Sequence, residues 1–129
     1  MMEFGLSEKT LAIIRQILLE SQSVEKAILY GSRAKGNYKR GSDIDLTLIG
    51  VDLDYGVLSD IAEKLYESPI PYKVDLSLFD KIDNQNLREH IERVGKVFYQ
   101  RDDAHDSGIV IKQNWQTEKL GKVITIENE

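Results

Sequence analysis

Two acidic residues, Asp43 and Asp45, stand two positions apart in the segment Asp-Ile-Asp-Leu-Thr-Leu-Ile. On a β-strand such residues lie on one face with their Cα atoms about 6.6 Å apart, so both carboxylates could bind the same hard cation. The same spacing also occurs at exposed strand edges, where acidic side chains only face water. The surrounding residues therefore decide between the two interpretations.

A glycine and two polar residues precede this pair. Gly31 and Ser32 directly follow a short apolar run. Glycine allows a tight turn, and backbone N–H groups at such a turn bind phosphate oxygens, with the Ser32 hydroxyl as a further donor. The planar guanidinium of Arg33 suits a phosphate or, equally, a structural salt bridge. A Gly-Ser pair alone is more typical of a simple turn, and its short distance from the two acids makes it informative.

A third carboxylate, Asp75, lies between Val74 and Leu76. If it shares a face with Asp43 and Asp45, the three acids repel one another unless a cation lies among them. Three carboxylates and two Mg²⁺ ions, roughly 3.5–4 Å apart, suit phosphoryl transfer, in which one ion activates the acceptor and the other holds the triphosphate. The three acids are therefore the predicted metal ligands and catalytic residues, and Asp75 is also a candidate base.

The elements that would position these side chains follow from the periodicity of the apolar residues. Apolar residues at i, i+3 and i+4 predict helices over residues 7–20, 56–67 and 84–95. A buried run and two alternating segments predict strands over residues 24–30, 43–49 and 72–79. The order helix, strand, strand, helix, strand, helix predicts an α/β (α+β) fold with a small mixed sheet flanked by helices.

The 129 residues suffice for one domain, which we expect at 1–100, followed by an extension at 101–129 that forms a hairpin or a disordered tail. The absence of cysteine excludes disulfides and thiolate metal sites. No segment approaches the roughly 20 apolar residues that cross a bilayer, and no signal peptide is visible, so we expect a cytoplasmic protein with no membrane contact.

The charge distribution narrows the class of ligand. A net charge of −5 argues against binding of long DNA. Four cations nevertheless lie close together, namely Arg33, Lys35, Lys39 and Arg40. Such a stretch suits a small anionic ligand such as a triphosphate, or an acidic partner, although a solvated loop has the same composition.

Histidine and aromatic residues outside the acidic segments have no assigned chemistry. His90 lies beside the apolar stripe of its helix, and we expect it to be exposed. The remaining large aromatic residues are expected to pack in or near the core: Tyr66, Tyr72, Phe79, Phe98 and Tyr99.

The spacing of these motifs resembles a known pattern. Gly31-Ser32, ten intervening residues and Asp43-Ile44-Asp45 resemble the Gly-Ser-x10-Asp-x-Asp motif of the DNA polymerase β-like nucleotidyltransferase superfamily. The segments Gly-Ser-Arg-Ala-Lys-Gly and Gly-Ser-Asp-Ile-Asp-Leu are similar to its minimal, antitoxin-type branch. The resemblance covers about residues 7–100 and includes Val74-Asp75-Leu76 as the strand of the third acid.

The resemblance implies a polymerase β-like fold, Mg²⁺ as cofactor with two ions bound beside the nucleotide, and ATP as substrate. It places the nucleotide at Gly31, Ser32 and Arg33, and it implies release of pyrophosphate. It also implies a partner, a HEPN-type RNase toxin encoded nearby, of which a tyrosine is AMPylated by the antitoxin.

Two other functions fit the same sequence. The domain could neutralise its partner by contact alone, or it could use a small molecule or an RNA 3′ end as acceptor. The short domain holds little beyond the nucleotide half of such an enzyme, which favours an acceptor surface on another protein. Oligomer formation remains open.

Overall fold

The computed structural model of the chain describes residues 2–101. In chain order the elements are β1 (Met2–Glu3), β2 (Leu6–Ser7), α1 (Glu8–Leu19), β3 (Lys26–Tyr30), α2 (Ser32–Lys35), β4 (Ile44–Ile49), α3 (Tyr55–Glu67), β5 (Val74–Leu78), α4 (Gln85–Val94) and β6 (Lys96–Gln100). A single 3₁₀ turn at Phe79–Lys81 follows β5.

Four of the strands form the central sheet, in the order β5-β4-β3-β6. Strand β3 pairs antiparallel with β4 and with β6, whereas β4 and β5 are parallel and connected by α3. Strands β1 and β2 form a separate antiparallel hairpin. The predicted mixed sheet flanked by helices is therefore confirmed.

The helices cover the two faces of this sheet unequally. Helices α1 and α3 pack on one face and bury a large apolar cluster that includes Ile14, Ala27, Leu29, Leu46, Leu48 and Ile61. Helix α4 covers the other face with a smaller cluster, built from Ile28, Tyr30, Phe79 and Ile91. Most of the hydrophobic stabilisation therefore lies on the α1 and α3 side.

The three long helices begin where a side chain satisfies a free backbone N–H group. The N-cap side chains of Ser7, Asp54 and Asn84 each accept a hydrogen bond from the N–H group three residues later. Such caps stabilise a helix by about 1 kcal/mol each. The predicted helices and strands are present, with ends that differ by at most two residues.

Two other features were not predicted. The hairpin of β1 and β2 packs against α1, which directly follows it in the chain. The edge strand β6 pairs with β3, which is far away in the chain. Beyond β6, the guanidinium of Arg101 donates hydrogen bonds to the carbonyl oxygens of Leu18, Leu19, Ser21 and Val24. Arg101 therefore belongs to the folded unit.

The remainder of the extension at 101–129 lies outside the described residues, so its hairpin or tail stays a prediction. Within residues 2–101, no helix is both long and apolar enough to span a bilayer.

Candidate active site

The predicted acids lie at one end of the sheet. Asp45 on β4 and Asp75 on β5 are direct neighbours in the parallel pair, so their side chains lie on the same face. Asp43 directly precedes β4, where the N–H of Ile44 bonds the carbonyl of Lys73. Asp43 and Asp75 are exposed and Asp45 is half-buried. The fold thus brings together three carboxylates that are separated along the chain.

These carboxylates act on one another electrostatically. Burial raises the pKa of Asp45 above its ordinary value, and the charges of Asp75 and Asp43 raise it further, while Lys73 acts in the opposite direction. The charges of Asp75 and Asp43 therefore disfavour ionisation of Asp45. A bound cation would relieve this repulsion and desolvation.

The donor set fits Mg²⁺ by its chemistry, because carboxylate oxygens are the protein ligands that this ion prefers. Among residues 2–101, however, no three metal-ligating side chains already converge on one point. Asp43, Asp45 and Asp75 are the side chains that would hold the ion.

The Gly31-Ser32 turn lies beside these acids. Strand β3 ends at Tyr30, which is paired with Asp45 across the sheet, and the chain turns at Gly31 into helix α2. Gly31 has φ 76° and ψ −156°, a conformation essentially restricted to glycine. A Cβ atom at this position would also collide with the carboxylate of Asp45. The glycine therefore lets the turn lie directly against one of the acids.

His90 is the residue of this site that sequence reasoning missed. The N–H of Gly31 donates a hydrogen bond to His90 Nε2 at 3.2 Å. The imidazole meets the Tyr30 ring edge-on, with centroids 6.2 Å apart. His90 is half-buried, so the expected exposure is wrong. Its i+3 spacing from Leu87, which places it at the edge of the apolar stripe of α4, was the available signal.

The environment of His90 favours the neutral imidazole. Burial lowers its pKa, and the positive charges of Lys35 and Arg93 lower it further. A neutral imidazole has one nitrogen with a free lone pair, and the bond from Gly31 assigns that role to Nε2. His90 is therefore a hydrogen-bond acceptor at the turn.

Arg33 lies behind the turn and makes structural contacts there, while its contact with the nucleotide stays a prediction. Its side chain is almost fully buried, at 2% exposure. Each of its three nitrogens donates to the backbone, with the carbonyls of Phe4, Arg40 and Ser42 as acceptors at 2.8–3.2 Å. The guanidinium also lies against the rings of Tyr38 and Tyr72. Arg33 therefore holds the segment that leads into Asp43 through hydrogen bonds to its backbone.

The other cations of this region face solvent. Lys35, Lys39 and Arg40 are exposed, as is Lys73 next to Asp45. The charge of Lys35 lowers the pKa of His90, and the charge of Lys73 lowers the pKa of Asp45. A phosphate group at the turn would thus approach a positively charged rim.

A layer of hydroxyl groups lies under the acids, on the same face of the sheet. Ser77 Oγ donates to Thr47 Oγ1 at 2.8 Å, and the Tyr30 hydroxyl also bonds Ser77. Burial raises the pKa of Tyr30, and the Asp45 and Asp75 charges act in the same direction. These hydroxyl groups form hydrogen bonds with one another and make a polar layer under the carboxylates.

This arrangement combines three carboxylates, a glycine turn and a cationic rim at one end of a sheet. Carboxylates can bind cations that neutralise phosphate charge, and backbone N–H groups at the turn can bind phosphate oxygens. The geometry therefore suits transfer of a phosphoryl or nucleotidyl group from a nucleotide.

Comparison with known proteins agrees with this chemistry. The sequence matches the family described as polymerase beta, nucleotidyltransferase over residues 13–104. It is 31% identical over 101 residues to the Haemophilus influenzae chain named "Probable protein adenylyltransferase MntA", covering 78% of this chain and 88% of that one.

Two of the solved structures that share this fold are complexes of a toxin with an antitoxin. One is a toxin–antitoxin complex with AMP-PNP, with a TM-score of 0.58, 23% identity, and coverage of 78% of this chain and 80% of that one. The other is a tri-AMPylated Shewanella oneidensis HEPN toxin in complex with an MNT antitoxin, with a TM-score of 0.55, 20% identity, and coverage of 78% and 77%.

Proposed function

Because the chain belongs to the polymerase beta nucleotidyltransferase family, we propose that it transfers AMP from ATP to a protein hydroxyl group. The acceptor is a tyrosine of a HEPN-type toxin, which this chain inactivates as its antitoxin. The observation that carries the proposal is the in-register pair of Asp45 and Asp75 beside the Gly31 turn. The relative named as a protein adenylyltransferase, at 31% identity, supports the choice of acceptor.

In this reaction the acceptor oxygen attacks the α-phosphorus of ATP. The bond between that phosphorus and the bridging oxygen breaks, pyrophosphate leaves, and the hydroxyl proton passes to a carboxylate, for which Asp75 is the candidate because it is exposed on the outer strand β5. The turn at Gly31 and Ser32 binds the triphosphate and orients it beside the acids at the end of the sheet.

Asp43, Asp45 and Asp75 would hold the Mg²⁺ ions. Bound there, Mg²⁺ would neutralise phosphate charge and favour ionisation of the acceptor hydroxyl. The raised pKa of Asp45 supports this role, since a cation stabilises the ionised form that the neighbouring acids disfavour. We place the reaction in the cytoplasm.

The test is to incubate the purified protein with Mg²⁺ and ATP, with and without the HEPN-type protein encoded beside it, and to measure the intact mass of both chains. We expect the partner to gain one or more AMP units. The double substitution Asp43→Asn and Asp45→Asn should slow this gain by at least about 10²–10³-fold, because two charged ligands are lost. The matched control is Asp52→Asn with Asp60→Asn, two exposed acids away from the site.

Equal rates for both double variants would contradict the role of the acids. A stable complex without any mass gain would instead favour a contact-only antitoxin. Transfer of AMP to a small molecule or an RNA 3′ end, with the partner unmodified, would show that the acceptor is not a protein.

A further inference from the structure

The turn that receives the triphosphate is held from the outside by a residue of α4. Gly31 accepts from the Lys35 N–H within α2, and it donates its own N–H to His90 Nε2. The conformation of Gly31, at φ 76°, is one of many that glycine adopts readily. The conformational preference of Gly31 alone therefore does not select this turn. Contacts from other elements must stabilise it.

His90 is itself held in place. Its ring contacts Tyr30 edge-on, and Tyr30 is 9% exposed on the central strand β3. The next residue on α4, Ile91, is fully buried in the cluster under that helix. The imidazole thus fixes the position of the Gly31 amide relative to α4 and β3.

We infer that His90 is a positioning residue of the nucleotide site, which holds the Gly31 amide so that the turn keeps the shape that binds the triphosphate. This inference rests on the proposed function. It differs from a role in catalysis, because His90 acts through Gly31 and not on the reacting atoms.

The opposite role is the main competitor. If a phosphate oxygen takes the Gly31 N–H for itself, His90 occupies the place of the nucleotide and has to be displaced. The two roles predict opposite changes in ATP affinity when the acceptor nitrogen is removed, so a binding measurement separates them.

Two substitutions isolate the acceptor. His90→Phe keeps a ring against Tyr30 and removes the acceptor, whereas His90→Gln keeps a side-chain acceptor of similar reach. We expect His90→Phe to raise the Kd for ATP about five- to tenfold, the effect of losing one hydrogen bond, with kcat little changed. His90→Gln should stay within about threefold of the wild type. Asn86→Ala, an exposed position of the same helix, is the matched control.

A second measurement tests the hydrogen bond without nucleotide. In NMR spectra recorded over a pH series, the Gly31 amide resonance should move as the His90 imidazole titrates, because a protonated Nε2 cannot accept. In a separate titration with ATP, the Kd of the wild type should rise as the pH falls through this interval, whereas the Kd of His90→Gln should not. The charged and titratable groups around this imidazole are Lys35 on α2, Arg93 on α4 and Tyr30 on β3.

Tighter ATP binding by a folded His90→Phe variant would overturn the positioning role in favour of displacement. Unchanged affinity, beside a wild type that binds ATP, would overturn it as well. No ATP binding by the wild type would overturn the proposed function and this role together, so the two failures are distinguishable.

Discussion

The two faces of strand β4 carry different tasks, although their residues alternate along a single segment. Ile44, Leu46 and Leu48 face α1 and α3 and are almost completely buried. Asp45 and Thr47 point to the other face, which also carries Asp75 and Ser77 and is covered by α4. Stability and chemistry are therefore separated by one residue in sequence and by the thickness of the sheet in space.

This separation explains how a small domain can hold repelling acids. The α1 and α3 face provides most of the hydrophobic burial, whereas the ionised Asp45 on the other face disfavours the folded state until a cation binds. Substitution of a buried apolar residue and substitution of Asp45 should therefore have opposite effects on the free energy of unfolding.

The largest effect is expected on the apolar face. Leu46→Ala should lower the free energy of unfolding by about 2–5 kcal/mol, because it leaves a cavity at a fully buried position. Denaturant titration measures this loss. Val51→Ala, at a residue that is 82% exposed, is the control and should change stability by less than about 0.5 kcal/mol.

At low temperature, where the Leu46→Ala variant is folded, its transfer rate per folded molecule should stay close to that of the wild type. A loss of activity as large as that of the acid variants would show that the two faces are not separable.

A smaller effect is expected at Arg33, a charged residue that belongs to the stabilising part of the molecule. Arg33→Lys keeps the charge but cannot donate to three carbonyls at once, so we expect a loss of about 2 kcal/mol in denaturant titration. Arg40→Lys, at an exposed side chain, is the matched control. A loss of equal size in both variants would contradict the assignment of Arg33 as a buried clamp.

The smallest effect has the opposite sign. The pKa of Asp45 is raised in the folded protein, so protonation favours folding, and this contribution is lost as the pH rises through the folded pKa. Asp45→Asn should therefore increase the free energy of unfolding at pH 7 without Mg²⁺, and the increase should shrink as the pH falls. Asp60→Asn, on α3, should not reproduce this. A destabilised Asp45→Asn protein would mean that the carboxylate makes a stabilising contact.

The sequence predicts the part of the fold that is locally encoded. The alternation in β4 and β5 and the apolar spacing in α1, α3 and α4 predict the elements and the shared face of Asp45 and Asp75. The edge strand β6 depends on pairing with the distant β3, and the two strands of the β1–β2 hairpin have only two residues each, which is too short for a periodic signal.

Individual side chains are harder to assign from sequence. A guanidinium suits phosphate and carbonyl oxygens equally, so only the buried position of Arg33 reveals its task. Tyr66, expected to pack, is 90% exposed, because it follows Leu65 and so points away from the buried stripe of α3. The prediction that Phe79, Phe98 and Tyr99 are buried is confirmed.

The contact between Gly31 and Asp45 limits which residues can occur at position 31 in related sequences. A side chain at position 31 would take the space of the Asp45 carboxylate, so replacement of the glycine requires that this carboxylate move or be lost. Related chains in which this glycine is replaced are expected to have lost the acid in many cases. Such a paired loss would mark members that have given up catalysis, and it can be recognised before any of them is expressed.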